Sequence, residues 1–216
     1  MKIIVIIPAM DSASEVLLDK LDKPLIMRTI ESAQKHFEII VATDSADIYT
    51  AIKKHSEDIQ CYMVDHCNTE TELARKVLQF INNISAYPTY DIVINWPTTE
   101  PELNGQHLLD ILPQFTNNEV DVLTLAVPAT IEQYHSPDVV KVVTDHNDFA
   151  MYFSRSPIPY AGEDTAIRHI GVYAFRYNIL SLLGTLDDTA YLSERLEQLQ
   201  WLETGIKIKV CVRHAL

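Results

Sequence analysis

Between Ala9 and Asp22 the chain carries Asp11, Glu15, Asp19 and Asp22 against the single Lys20, with no glycine. This stretch follows the apolar run Ile3 to Ile7, the place where an α/β enzyme puts a phosphate-binding loop. Phosphate binding asks for cationic side chains and for backbone N–H groups that glycine leaves accessible. Four carboxylates do the opposite, so the expected reading is a shortened, solvated loop. A second acidic stretch, Asn68-Thr69-Glu70-Thr71-Glu72, has the types of a helix start: Asn68 or Thr69 as N-cap, then acids suited to the positive end of the helix dipole. Cys61, Cys67 and Cys211 form no C-x-x-C pair, which fits reduced thiols in a cytoplasmic protein better than a disulfide framework or a zinc site.

The elements that must position these residues follow from the spacing of apolar side chains. Near-continuous Ile/Val runs at Lys2–Ala9, Glu38–Asp44, Cys61–Asp65, Tyr90–Trp96 and Val120–Pro128 read as strands. Between them, helical spacing falls at about Pro24–His36, Ala46–Lys54, Glu70–Asn82 and Gly105–Phe115. Apolar strands alternating with helices mean parallel strands buried on both faces. The expected fold class is therefore α/β, a doubly wound, mostly parallel, Rossmann-like sheet with its ligand crevice at the carboxyl ends of the strands. After Pro128 the texture changes, and residues 138–160 read as an appended antiparallel hairpin turning at Asp145–Asp148 and ended by Pro157 and Pro159. A strand over Arg168–Arg176, a helix over Tyr191–Leu202 and a last strand over Ile206–Arg213 complete one expected domain, residues 1–216.

Composition narrows the function classes. With 216 residues and 47% hydrophobic content the chain can bury a substantial core. Its 30 acids against 17 bases give a formal net charge of -13, a field that repels nucleic acid and anionic membranes. The N-terminal apolar run is too short for a membrane span. Trp96 and Trp201 are expected in the core or at an interface.

The segments "IIVIIPA", "IIVATD", "TLAVP", "VVKVVTD", "MYFSRSPIP", "RHIGVYAFR" and "LEQLQWLETGIKIKV" follow one another in the order and approximate spacing of one family. Over nearly the whole chain the sequence resembles the CMP-Kdo synthetases, the 3-deoxy-manno-octulosonate cytidylyltransferases, with "YFSRSPIP" and "RHIGVYAFR" the most specific matches. The resemblance implies a nucleotidyltransferase fold, transfer of CMP from CTP to a 3-deoxy-2-keto sugar acid with Mg²⁺, a place in lipopolysaccharide biosynthesis, and a cytoplasmic homodimer that uses the hairpin.

Carried over residue by residue, the resemblance divides. The family's cationic triphosphate loop is replaced by Met10 and Ser14-Glu15, leaving Lys23 as the nearest nucleotide-binding candidate. Its Ser-Gly-Thr-Glu/Asp-Arg base segment, after an Asp-His like Asp65-His66, becomes Asn68 to Glu72, with glutamate for arginine. Its Gln-Gly-Asp-Glu-Pro becomes Pro97-Thr98-Thr99-Glu100-Pro101, so Thr99 stands where a Mg²⁺ ligand belongs and Glu100 or Glu102 is the stand-in. The sugar-acid half matches: Arg155, Arg168, His169, Tyr173, Glu197 and Gln198, with Tyr191 at a usually acidic position. Arginine with a histidine donor can hold a carboxylate, and Tyr, Glu and Gln can bond sugar hydroxyls. The sequence thus predicts a catalytically impaired relative that keeps a sugar-acid pocket, with CTP binding in doubt and no catalytic residue assigned. The alternatives are an active cytidylyltransferase with a rebuilt nucleotide site and Mg²⁺, or a scaffold or regulatory subunit of a dimer.

Overall fold

The computed structural model describes residues 1–10, 19–20, 23–83, 90–100, 102–183 and 194–215. In chain order the elements are β1 (Ile3–Ala9), β2 (Asp19–Lys20), β3 (Lys23–Pro24), α1 (Leu25–Gln34), β4 (Glu38–Thr43), α2 (Ala46–His55), β5 (Cys61–Met63) and α3 (Glu70–Asn83). There follow β6 (Ile92–Asn95), α4 (Gly105–Ile111), β7 (Val122–Pro128), α5 (Ile131–His135), β8 (Lys141–Thr144), β9 (Ala150–Ser154), β10 (Ile167–Arg176), α6 (Tyr177–Leu183), α7 (Glu197–Glu203) and β11 (Ile208–Val212). The chain groups into two compact units, residues 1–108 with 174–184, and 109–173 with 185–216.

In the first unit the strand order is β6-β1-β4-β5. All three pairings are parallel, for instance Val5 opposite Ile94 on one side and Ile39 on the other. Ile4, Val5, Ile6 and Ile7 are wholly buried, as are Ile40, Val41 and Ala42, which explains why these strands read as unbroken apolar runs rather than as alternating ones. Helices α1 and α3 supply Ile26, Ile30, Leu73, Ala74 and Val77 to the core. Gly105, at the start of α4, sits so close to His36 that a Cβ there would lie 2.3 Å from the ring, so only glycine lets α4 start at that point.

In the second unit β11, β7 and β10 are neighbours, with β11 and β7 parallel. β8 pairs antiparallel with both β10 and β9. The hairpin turns where the sequence places it: Asp145 Oδ1 accepts the N–H groups of Asn147 and Phe149, and Asp148 takes the left-handed conformation at φ 59°. The fold is therefore α/β with a mostly parallel sheet, as expected.

Three elements differ from the sequence reading. The helix expected to Phe115 changes to a 3₁₀ turn over Leu112–Thr116, because Pro113 has no N–H for the α-helical ladder. Helix α5 is a single capped turn, Thr130 and Gln133 bonding reciprocally. The expected helix from Tyr191 begins, among the described residues, as α7 at Glu197. Trp96 and Trp201 are core residues.

Candidate functional site

The carboxyl ends of the parallel strands in the first unit are built around Thr43. Its hydroxyl donates to the Ala9 carbonyl at 2.6 Å and accepts the Ser45 N–H at 3.0 Å, clamping the end of β4 to the end of β1. The Val64 N–H donates to the Thr43 carbonyl at 2.9 Å and brings the chain after β5 alongside. These bonds put Asp44 and His66, 22 residues apart, within hydrogen-bonding distance: Nδ1 of His66 lies 3.0 Å from Oδ2 of Asp44. The Asp44 side chain is 1% exposed and that of His66 is 78% exposed.

The acidic segment after His66 is a helix cap. Thr69 Oγ1 accepts the Glu72 N–H at 3.1 Å, and Glu72 Oε2 accepts the Asn68 N–H at 2.9 Å, a close variant of a capping box. Lys76 pairs with Glu72 at 3.1 Å and donates to the His66 carbonyl at 2.9 Å. Burial opposes the charge on Glu72, but the Asn68 N–H and Lys76 hold its carboxyl below the usual range. Burial likewise opposes the Lys76 charge, and Glu72 with Cys67 lifts it above the ordinary lysine value.

At the end of β6, Asn95 is buried, and among the described residues neither its amide nitrogen nor its amide oxygen has a hydrogen-bond partner. Thr98 is buried, Thr99 exposed, and Glu100 half-buried. Among the described residues no group of three His, Cys, Asp or Glu side chains stands ready for a metal. Magnesium on a triphosphate needs only one or two protein carboxylates, and Glu100 is the half-buried carboxylate of this segment. Residues 11–18 and 21–22, which carry Asp11, Ser14, Glu15 and Asp22, lie outside the described residues, as do Tyr191 and the side chains of Asp19, Lys20 and Lys23.

The sugar-acid candidates fall in the second unit. His169 and Tyr173, both on β10, are buried with ring centroids 5.2 Å apart, and Tyr173 meets Trp201 of α7 edge-on at 4.8 Å. Thr124 Oγ1 lies 2.7 Å from the Val172 carbonyl, to which it donates, and 2.8 Å from Nε2 of His169. A hydroxyl has one proton, so Nε2 of His169 is the donor in the second bond and the imidazole N–H is spent inside the protein. Burial pushes the His169 pKa down to about 3, and the Arg168 guanidinium acts in the same direction. The ring is therefore neutral and held within the fold.

Arg155, after β9, donates from Nε to the Glu194 carbonyl at 3.3 Å and from Nη1 to the Pro137 carbonyl at 3.1 Å. Among the described residues two of its five N–H donors are thus engaged. Glu194 also accepts the Ser154 hydroxyl at 2.6 Å and the Arg155 N–H at 3.0 Å. Beneath them Lys141, fully buried, donates to the carbonyls of Ser136, Val139 and Arg155 at 2.8, 2.6 and 2.6 Å. Burial pulls its ammonium below the ordinary lysine range, with Glu194 opposing. Arg168 and Glu197 are half-buried and Gln198 is buried. Sequence reasoning left out Glu194 and Asp44, which pair over long separations. Lys141 had a local signal, a lone charge inside the apolar run "VVKVV".

A parallel sheet with polar groups gathered at its strand ends is a nucleotide-handling architecture, and the comparisons place the chain within it. The family model for cytidylyltransferases matches residues 4–208, so the chain belongs to the cytidylyltransferase family. Within it, the chain is 35% identical over 230 residues to a 3-deoxy-manno-octulosonate cytidylyltransferase from Nitrosococcus oceani, covering 96% of this chain and 87% of that protein. A protein of the same name from Chloroherpeton thalassium is 37% identical over 229 residues, with 98% and 89% covered. The fold superposes on a solved structure of CMP:2-keto-3-deoxy-manno-octonic acid synthetase complexed with CTP, with TM-score 0.86, 28% identity, and 100% and 91% of the two chains covered. The chain thus sits among the CMP-Kdo synthetase relatives that its motifs resemble.

Proposed function

We propose that the chain is an active cytidylyltransferase that transfers CMP from CTP to a 3-deoxy-2-keto sugar acid such as Kdo. The observation that carries this reading is the match along nearly the whole chain to enzymes of that activity, at 35% and 37% identity. Nothing in the comparisons supports the impairment expected from the sequence, which rests on the substituted loop, base segment and Thr99 alone.

In this reading a sugar hydroxyl attacks the α-phosphorus of CTP, a sugar–oxygen–phosphorus bond forms, the bond to pyrophosphate breaks, and the hydroxyl proton leaves to solvent. Arg155 and Arg168 hold the acid's carboxylate, while Tyr173, Glu197 and Gln198 supply hydroxyl partners and the inward-bonded His169 keeps β10 in place. Glu100 would hold a Mg²⁺ ion, which neutralises phosphate charge when bound. Lys23 is the cation proposed for the nucleotide. We place the protein in the cytoplasm, where its three unpaired thiols suit a reducing compartment. A homodimer would cover the exposed Met151, Tyr152 and Tyr160 on and after β9.

One observation favours a second reading, a fold kept for sugar-acid binding or as a dimer partner without catalysis: the acids Asp11, Glu15, Asp19 and Asp22 in place of a cationic loop. Calorimetric titration with CTP and Mg²⁺, and separately with Kdo, divides the two. Binding of both supports the enzyme. Kdo binding with CTP silent supports the second reading, and silence from both leaves a scaffold.

A further inference from the structure

Gly105 opens α4 and is fixed there by sterics, since a Cβ would lie 2.3 Å from the His36 ring. The residue before it is Asn104, which makes this the one Asn-Gly dipeptide of the chain. Asparagine is at its most reactive in that pair, because glycine carries no Cβ to shield its backbone nitrogen. The Gly105 nitrogen attacks Cγ of Asn104 and a C–N bond closes a five-membered succinimide ring. The Cγ–Nδ2 bond breaks, and ammonia leaves with the proton from the Gly105 nitrogen. Water then opens the ring at either carbonyl and gives aspartate or isoaspartate. Water is the only co-reactant, and Asn104 is exposed to it.

The fold opposes the first step. Oδ1 of Asn104 accepts the Gln106 N–H at 3.0 Å and the His107 N–H at 3.2 Å, capping α4. On the other side of the amide, Nδ2 lies 3.2 Å from Nε2 of the buried His107. Ring closure must swing Cγ onto the Gly105 nitrogen, which breaks both cap bonds and turns the Asn104–Gly105 peptide out of the conformation that the first turn requires. Isoaspartate cannot rebuild the cap, because its backbone runs through Cβ and Cγ and is one methylene longer. The Leu103 N–H donates to the Glu100 carbonyl at 3.1 Å, so that methylene falls in the link between α4 and the segment proposed to hold Mg²⁺.

We propose that Asn104 is a chemical modification site of this protein, kept from deamidation by its own helix cap and converted to isoaspartate when the first turn of α4 opens. The lock does not depend on whether the chain turns over CTP, since every group in it belongs to the turn before α4 and the first residues of that helix.

The test is peptide mapping by mass spectrometry of protein held at mildly alkaline pH, native and in urea. It follows the mass gain of amide-to-acid conversion at Asn104 and the labelling of isoaspartate by an isoaspartyl methyltransferase. The unfolded chain is expected to modify Asn104 at least about tenfold faster than the native one, the net worth of two hydrogen bonds. Gln106→Pro removes one of the two N–H donors with a residue that helices accept in their first turn. Its native deamidation should rise about fivefold, with a thermal melt showing that it is folded. Asn104→Ser, which caps without an amide, should melt with the wild type and show no mass gain. Equal rates for native and unfolded wild type overturn the proposal. So does a folded Gln106→Pro that modifies at the wild-type rate, which would credit the protection to the fold at large and not to the cap. If that variant does not fold, the native and urea rates of the wild type decide alone.

Discussion

The two units treat their buried polar groups in opposite ways. In the second, a cluster finds its partners in the protein: Lys141 is caged by three carbonyls, Ser154 and the Arg155 N–H are taken by Glu194, and His169 donates to Thr124. In the first, the strand ends leave polar capacity unspent, with the Asn95 amide unpartnered among the described residues and the His66 ring fixed but facing water. A self-satisfied cluster is what holds a hairpin and a helix in place. Unspent groups are where a ligand has most to gain, because burying a polar atom without a partner is costly until something pairs with it. The difference separates structural from ligand-facing groups more sharply than residue identity does, and it runs through the second unit as well, where Arg155 keeps N–H donors for the proposed sugar acid beside the self-satisfied Lys141 and His169.

The largest expected effect tests the scaffold side. Lys141→Met keeps the apolar stem but leaves the Ser136, Val139 and Arg155 carbonyls without their donor, and should cost about 3–5 kcal/mol in denaturant unfolding. A loss below about 1 kcal/mol would show that water replaces the ammonium and that the cage is not what holds the hairpin.

Acid stability comes next. The His169 ring is neutral in the fold with a pKa near 3, while an unfolded histidine titrates near its ordinary value of 6.5. Between those values the unfolded chain binds the extra proton, so the contribution is fully present above pH 6.5 and is lost progressively as pH falls toward 3. His169→Gln should flatten that part of the stability profile relative to wild type. Parallel profiles of the two proteins between pH 6.5 and 3 would contradict the buried neutral ring.

The site side predicts a smaller effect. Asn95→Leu replaces an amide that bonds nothing among the described residues, so stability should stay within about 1 kcal/mol of wild type. A loss of 3 kcal/mol or more, a size typical of breaking a buried network, would mean that the amide is already satisfied and that the contrast between the units is weaker than drawn.

The smallest effect concerns the thiols. Burial pushes Cys61 and Cys211 up to about 11, so neither is a thiolate at neutral pH. Alkylation of the native protein at pH 7.5 should be slow at both, followed by mass spectrometry, and should accelerate on unfolding. Fast native labelling of Cys61 would show that the edge strand β5 opens.

The fold was legible because its signals are local. "IIVIIPA" and "IIVATD" announce strands buried on both faces, and the turn at Asp145–Asp148 carries its own side-chain caps. The short helix at Thr130 was missed: Thr130 and Gln133 have capping-box spacing, but one turn is too brief for apolar periodicity to register. The candidate site was legible in part. Thr69 caps α3 as expected, and Arg155 follows β9 while His169 and Tyr173 lie on β10, the two strands flanking β8. What the residues could not say is how they pair. Asp44 meets His66 only because β4 and β5 are in one register, and Arg155 meets Glu194 across 39 residues. The inward donation of His169 depends on Thr124, on a strand 45 positions earlier. Such pairings are set by tertiary register, which no local spacing encodes.

The most direct test of the account is ³¹P NMR of the wild-type protein with CTP, Mg²⁺ and Kdo. The account predicts loss of the triphosphate resonances, growth of pyrophosphate and a new phosphodiester signal, all three requiring the sugar acid. Unchanged CTP spectra from a folded protein would contradict it, and would leave the acidic loop as the feature that ended catalysis in this chain.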